Sequence, residues 1–183
     1  MRRIIFFTLI VGALIYSACT GNNEHKKQLE EELRLFKAKT ITLPDNMLPK
    51  HCDEQMQPDV SLLSRPLKMI VYVNQSGCED CRLRALIPVY MFILENRHIE
   101  KFGVIIILNP SDIEITDYTL TDMSFRHTVF YDLDGSFERL NPHLPTDEQL
   151  HTFLLNEENK VVLAGNPVQN EKLKKLYFAE LNK

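Results

Sequence analysis

Cys78 and Cys81 are separated by two residues, and their thiols could be oxidised to one disulfide. They follow the apolar run 69–73 and open an apolar stretch with helical character. Free N–H groups and partial positive charge at a helix N-terminus lower the pKa of the first cysteine, and its thiolate is the reactive species. A Cys-x-x-Cys pair at a strand-to-helix junction therefore predicts thiol–disulfide exchange, in which Cys78 attacks and a more buried Cys81 resolves the mixed disulfide.

Two other interpretations of the pair stay open. The disulfide could be a structural bridge in a non-catalytic module that binds a protein or peptide. A single Cys-x-x-Cys is also half of a structural zinc set, but we predict no metal and no cofactor. Glu79 and Asp80 oppose ionisation of Cys78, which indicates a reducing site. They equally suit the first turn of a helix.

Cys52 is left over once the close pair is matched. It stands between His51 and Asp53, so it could be a metal ligand or a third redox thiol. A loop cysteine without chemistry is the simpler interpretation.

The N-terminus has the pattern of an export signal. Arg2 and Arg3 precede an apolar run over residues 4–15, which is too short to span a bilayer comfortably. Small residues then precede Cys19, and the chain turns polar after it. This pattern predicts a lipoprotein signal over residues 1–18 and a lipid on Cys19, with ordinary secretion as the alternative. We therefore expect a bacterial cell-envelope protein, anchored on the periplasmic or cell-surface side.

The rest of the chain suits one domain with a hydrophobic core. We predict a lipid-anchored tether and N-terminal helix over 19–39 and a domain over 40–183. The chain has 21 basic and 25 acidic residues, giving a net charge of −4. We find no basic patch of the kind that nucleic acid would require, and we predict no nucleic-acid partner.

Hydrophobic periodicity predicts an α/β order of elements. The predicted helices are the second half of 22–39, with Leu29, Leu33 and Phe36 on one face, and 78–97, part of 111–123, a start at 137–140 and 170–181. The predicted strands are 40–43, 68–74, 102–109, 127–131, 152–155 and 161–164, and 48–66 is predicted to be irregular. In the last helix Leu173, Leu176, Tyr177 and Leu181 share the apolar face.

Three passages make the chain from residue 68 onward resemble the TlpA/ResA-like branch of the thioredoxin superfamily. They are 78–82 after its strand, Val129–Gly135, and 152–156 followed by 160–162. The resemblance implies a thioredoxin-like fold, with a central mixed β-sheet flanked by helices and an N-terminal helical extension. It also implies exported protein thiols or disulfides as substrates, a redox partner protein, and attachment to the membrane through the lipid.

The chain departs from this family around the substrate site. The family has a Trp just before the first cysteine, whereas Gly77 stands here and the protein has no Trp. Alignment places Leu150 where the family has a cis-proline that faces the disulfide. We predict Leu150 and His151 as substrate-binding residues, on a loop with a trans peptide bond. His151 could carry protons near Cys78, although a solvated loop histidine is the simpler interpretation.

Overall fold

The computed structural model describes residues 27–53 and 55–183, and it forms an α/β fold around one six-stranded mixed sheet. The strand order is β1-β4-β3-β2-β5-β6. The strands are β1 Leu48–Lys50, β2 Leu67–Val73, β3 Phe102–Leu108, β4 Val129–Tyr131, β5 Thr152–Leu155 and β6 Val161–Ala164. Strands β2, β3 and β4 run parallel, while β1, β5 and β6 pair antiparallel.

Helices cover both faces of the sheet. They are α1 over 27–37, α2 Glu79–Arg84, α3 Ile87–Asn96, α4 Ile113–Asp122, α5 Ser136–Leu140 and α6 Glu171–Leu181, with 3₁₀ turns at Val60–Ser64 and Glu148–Leu150. One core packs α2, α3, α4 and α6 on the sheet, and the other packs α1 and α5 on the opposite face. Central strands buried on both faces read as continuous apolar runs, which is why β2 and β3 are clear in the sequence.

The N-terminal helix packs into the domain. Leu29 and Leu33 are half-buried, and Phe36 is fully buried with its ring centroid 5.0 Å from that of Phe153 in an edge-on contact. The predicted helical periodicity is therefore confirmed. The expected signal peptide 1–18 and lipid-bearing Cys19 lie outside the described residues. No helix in the described part of the chain is long and apolar enough to cross a membrane.

The predicted continuous helix over 78–97 is wrong, because the structure has two helices. Helix α2 ends at Arg84, and α3 begins at Ile87 with Pro88 in its first turn. Proline has no N–H to donate to the carbonyl of Arg84, and its ring clashes with that carbonyl in a continuous helix. The chain therefore restarts the helix around Pro88.

The predicted strand over 40–43 is also wrong. Thr40 makes one isolated bridge with Lys160. The side chain of Asn141 instead accepts from Thr42 N and donates to Thr42 O, both at 2.8 Å, and so takes the place of a strand partner. Strand β1 forms in the segment predicted to be irregular. It lies at the sheet edge, where Pro49 is tolerated.

The apolar face of α6 is confirmed except at one position. Tyr177 and Leu181 are buried and Leu173 is half-buried, one helical turn apart from each other in sequence. Leu176 is 52% exposed, so its assignment to the buried face is wrong.

Candidate redox site

Cys78 and Cys81 lie at the start of α2, after the loop 74–77 that follows the carboxyl end of β2. Cys78 is the N-cap of the helix, and its Sγ accepts a hydrogen bond of 3.3 Å from the backbone N–H of Cys81. The two residues form a disulfide, with Cα atoms 5.4 Å apart. The strand-to-helix junction predicted from the sequence is thus present, and one N–H of the first helical turn faces the sulfur of Cys78.

Both cysteines are exposed. The sequence predicts an exposed Cys78 and a more buried Cys81, and this contrast in exposure is not seen. The positions of the two sulfurs relative to the helix still differ, because only Cys78 occupies the cap. Electrostatics at the cap, and not burial, therefore distinguishes the two thiols.

Gly77 gives the loop before the cysteine pair a backbone conformation that is unfavourable for residues with a Cβ. Its φ of +72° lies in the left-handed region. A Cβ built at Gly77 would meet no atom within 4 Å, so the restriction comes from the backbone and not from crowding. An aromatic residue, which the family resemblance places here, would carry that backbone strain.

The two acidic residues between the cysteines are bonded to α4. The Glu79 carboxylate accepts hydrogen bonds from the hydroxyl of Thr116, at 2.6 Å, and from the hydroxyl of Ser111. Asp80 accepts from Thr119 Oγ1 at 3.3 Å and pairs with Arg84 at 3.0 Å. These carboxylates therefore fasten the redox turn to its neighbouring helix.

Arg82 holds the loop that precedes Cys78. Its Nη1 donates to the backbone oxygen of Asn74 at 3.0 Å and to Ser76 Oγ at 2.8 Å, and also to Asn74 Oδ1 and Ser76 O. Only 20% of the Arg82 side chain is exposed. One guanidinium thus binds acceptors of both Asn74 and Ser76 at the same time.

Glu148 connects this loop to the segment that carries Leu150 and His151. Its carboxylate accepts from Asn74 Nδ2 at 3.2 Å and from the Ser76 hydroxyl, and it lies 3.5 Å from Arg82 Nη2. The hydrogen bond from Ser76, followed by those from Asn74 and the charge of Arg82, lowers the pKa of Glu148. Glu148 therefore stays ionised at neutral pH.

Leu150 ends the 3₁₀ turn Glu148–Leu150, and His151 follows it directly before β5, where its backbone oxygen accepts from Tyr72 N of β2 at 2.9 Å. Leu150 is half-buried, and His151 is 6% exposed, so the interpretation of His151 as a solvated histidine is wrong. Its Nε2 lies 2.8 Å from the carbonyl oxygen of Pro145 and donates to it, because a carbonyl only accepts. The described residues contain no cis peptide bond, as predicted for this loop.

Two clefts flank Glu148. One contains His151, Asn74 and Glu138 in its lining. The other runs between the start of α3 and the 3₁₀ turn, and its lining includes Val71, Leu86, Val89, Arg82, Glu148 and Gln149. The lining of this second cleft combines apolar and polar side chains.

Cys52 does not share the environment of the pair. It is half-buried, free of a disulfide and packed against the core that contains α2, α3 and α4. Burial, with a smaller contribution from the charge of Asp117, raises its thiol pKa to about 11. The described residues contain no cluster of three or more His, Cys, Asp or Glu that could hold a metal ion.

Sequence reasoning missed Arg82 and Glu148. A basic residue directly after Cys81 is visible in the sequence, but its acceptors are backbone and side-chain atoms that the local pattern does not identify. Glu148 is brought to the loop only by the pairing of β5 with β2. No periodicity or spacing signals that contact.

The arrangement of strands, helices and disulfide is that of the thioredoxin-like fold. A protein assigned as the thiol:disulfide interchange protein DsbE of Chlorobium tepidum matches with a TM-score of 0.55 and 18% identity, covering 78% of this chain and 97% of that one. A thiol-disulfide oxidoreductase from Bacteroides fragilis matches with a TM-score of 0.50 and 11% identity, covering 75% of this chain and 99% of that one. A mutant of PrxQ from Xylella fastidiosa matches with a TM-score of 0.51 and 11% identity, covering 78% of this chain and 97% of that one.

No protein-family model matches the chain, and no curated protein matches it in sequence. The similarity to these solved structures therefore establishes the fold. The predicted α/β class, with a mixed sheet flanked by helices, is confirmed.

Proposed function

We propose that this protein is a thiol–disulfide oxidoreductase, with Cys78 as the attacking thiol and Cys81 as the resolving thiol. The observation that carries the proposal is the exposed Cys78–Cys81 disulfide at the N-terminus of α2, with the Cys81 N–H directed at Cys78 Sγ. A structural bridge is under no requirement to be exposed at a helix cap, whereas a reactive thiolate needs both access and a stabilising environment.

The reaction runs in two exchanges. The Cys78 thiolate attacks a partner disulfide, a bond forms between Cys78 Sγ and one partner sulfur, and the other partner sulfur leaves as a thiolate. Cys81 then loses its proton and attacks Cys78 Sγ. This step forms the Cys78–Cys81 disulfide and releases the second partner thiolate, so the partner gains two electrons and the protein loses two. A dithiol redox partner protein returns these electrons by the same chemistry in reverse.

The substrates in this proposal are exported proteins, and the cleft beside Glu148 receives them as extended chain. Leu150 and His151 act at the substrate-binding segment, because they directly follow Glu148 and Gln149 of the cleft lining and lead into β5. The lipid on Cys19 places the domain on the outer side of a bacterial membrane. The support for this location is the signal-like pattern of residues 1–18.

The competing proposal is a non-catalytic module that binds a protein or peptide and keeps the disulfide as a structural bridge. The observation that favours it is the backbone at Gly77 and Leu150, where the family resemblance would place a Trp and a cis-proline. The two proposals differ in whether partners become covalently attached to the protein.

A trapping experiment tests the proposed function. We expect Cys81→Ser to accumulate mixed disulfides through Cys78 with envelope proteins, because the resolving thiol is gone. Cys78→Ser is the matched control and should trap none. The readout is mass spectrometry of complexes that dissociate on reduction. Partner binding that persists in Cys78→Ser, with no trapped complex in Cys81→Ser, would establish the binding module instead.

Thiol mapping across a graded glutathione buffer complements the trap. A reversible Cys78–Cys81 couple between about −120 and −270 mV is expected for an oxidoreductase, and a value near the lower end identifies a reductant. A pair that stays oxidised below about −300 mV would contradict the enzymatic proposal.

A further inference from the structure

We propose that Glu148 is a positioning residue for this exchange, which holds the loop before Cys78 through Ser76 and Arg82 and sets how readily the Cys78–Cys81 disulfide is reduced. The inference rests on the proposed function and deepens it. Glu148 lies in a different part of the chain from the cysteines, on the 3₁₀ turn Glu148–Leu150 that leads into β5.

The contacts of Glu148 converge on the loop that carries Cys78. Ser76 lies two residues before Cys78, and its hydroxyl donates to Glu148 Oε1. Asn74, directly after β2, donates to the same oxygen at 3.2 Å. The loop is thereby fastened on one side to the 3₁₀ turn that leads into β5. On its other side Gln75 donates to Asn109 Oδ1 at 2.8 Å.

Arg82 supplies the charge through which Glu148 influences the sulfur of Cys78. The Arg82 guanidinium binds the backbone oxygens of Asn74 and Ser76, so a positive charge lies against the loop that precedes Cys78. The Glu148 carboxylate, 3.5 Å from Arg82 Nη2, balances that charge. A thiolate at Cys78 is stabilised by an unbalanced positive charge and is less stabilised when the charge is paired.

Other charged or titratable groups lie around Glu148 in the described part of the chain. Arg82 faces it from α2, His151 follows it on its own segment and contributes to lowering its pKa, and Glu138 of α5 lies 3.5 Å from the Asn74 amide that both acids share. Of the two acids, Glu148 is the one in contact with both Ser76 and Arg82. It is therefore the group whose charge acts on the loop.

The direction of the effect follows from charge. Neutralising Glu148 leaves Arg82 unbalanced, which lowers the Cys78 pKa and favours the reduced form. Neutralising Arg82 leaves the carboxylate unbalanced, which raises the Cys78 pKa and favours the disulfide. If Glu148 and Arg82 only held the loop in place, without electrostatic influence on Cys78, both variants would shift the reduction equilibrium in the same direction, because either loss loosens the same loop.

The experiment compares Glu148→Gln and Arg82→Gln in the full chain carrying Cys19→Ser. Glu158→Gln is the matched control, because Glu158 is also an exposed carboxylate paired with a base, Lys160, but lies on the turn between β5 and β6. The measurements are the equilibrium of the Cys78–Cys81 couple with glutathione and the pH dependence of Cys78 alkylation after reduction with dithiothreitol.

We expect Glu148→Gln to shift the equilibrium toward the reduced form by about tenfold, or about 30 mV for a two-electron couple, and to lower the Cys78 pKa. Arg82→Gln should shift both quantities the other way, and Glu158→Gln should match the unmodified chain. Equal values for Glu148→Gln and Glu158→Gln, or shifts of Glu148→Gln and Arg82→Gln in one direction, would overturn the inference.

The outcome separates this inference from the proposed function. An unmodified chain that shows no reversible couple overturns the proposed oxidoreductase, while the Cys78 pKa still reports on Glu148. A reversible couple in the unmodified chain that Glu148→Gln leaves unchanged overturns the role of Glu148 alone.

Discussion

The hydroxyl of Thr116 on α4 donates a hydrogen bond of 2.6 Å to the carboxylate of Glu79, the residue that follows Cys78. Thr116 is fully buried, and Glu79 is half-buried. The acidic residue of the redox turn therefore serves the junction between α2 and α4. Its charge was expected only to oppose the thiolate or to suit the first helical turn, and the tie to α4 is an additional structural role.

Removing this hydrogen bond should weaken the fold. Thr116→Val keeps the shape of the side chain and deletes the donor, so we expect the free energy of unfolding to fall by about 1 kcal/mol. Urea denaturation of the oxidised protein measures it. Thr121→Val on the same helix is the control, because Thr121 is exposed, and its stability should stay within about 0.5 kcal/mol of the original. Equal stability of the two variants would contradict the role of Thr116.

Cys52 should be nearly unreactive in the folded protein. Its thiol pKa of about 11 leaves little thiolate at pH 7.5. In a chain carrying Cys19→Ser, with the close pair oxidised, we expect iodoacetamide to modify Cys52 about a hundredfold more slowly than in the urea-unfolded chain. Mass spectrometry follows the reaction. Similar rates in the two states would show that burial does not protect this thiol.

The N-terminal helix should contribute substantially to stability. Phe36→Ala removes a fully buried ring that contacts Phe153, and we expect a loss of about 3–5 kcal/mol. Leu35→Ala, one residue earlier and 49% exposed, is the control and should cost under about 0.5 kcal/mol. Chemical denaturation compares them. If Phe36→Ala proves as stable as Leu35→Ala, α1 is not part of the cooperative unit.

Gly77 should tolerate asparagine better than alanine. Both residues fit the open space around its Cα, but the left-handed backbone costs alanine about 1–2 kcal/mol, and asparagine adopts it more readily. We expect the melting temperature to fall more for Gly77→Ala than for Gly77→Asn. Equal melting temperatures for Gly77→Ala and the unmodified chain would mean that the loop relaxes out of this conformation.

The stabilising contribution of Glu148 should disappear in acid. Its pKa is lower in the folded protein than the ordinary value near 4.5. The contribution is therefore complete above about pH 4.5 and is lost as the pH falls through the folded-state pKa. We expect the difference in melting temperature between the unmodified chain and Glu148→Gln to shrink between pH 6 and pH 3. A constant difference over that interval would exclude an ionic origin.

The fold was predictable where local pattern and burial agree. Strands β2 and β3 are buried on both faces and so appear as unbroken apolar runs, and the hairpin of β5 and β6 is bounded by polar turn residues. The position of Cys78 at a strand-to-helix junction follows from the same signals. These elements depend on few long-range contacts for their identification.

Elements that depend on distant partners were not predictable. The segment 40–43 has the composition of a strand, but Asn141 binds its backbone from far along the chain. Strand β1 exists because β4 offers it an edge. Glu148 at the site was not predictable for the same reason, because strand pairing, and not spacing in the sequence, brings it into contact with Ser76.

The helix break at Pro88 separates the redox segment, residues 74–84, from the core-packed helix α3. Leu83 is the residue of α2 buried in the core, and the remaining attachments of residues 74–84 described above are polar contacts to α4, Asn109 and Glu148. A segment held in this way can change its sequence without forcing the hydrophobic core to repack. Mutational libraries over residues 74–84 that keep Leu83 unchanged should therefore yield folded proteins with a wide range of reactivities, which makes this chain a practical scaffold for engineering redox chemistry.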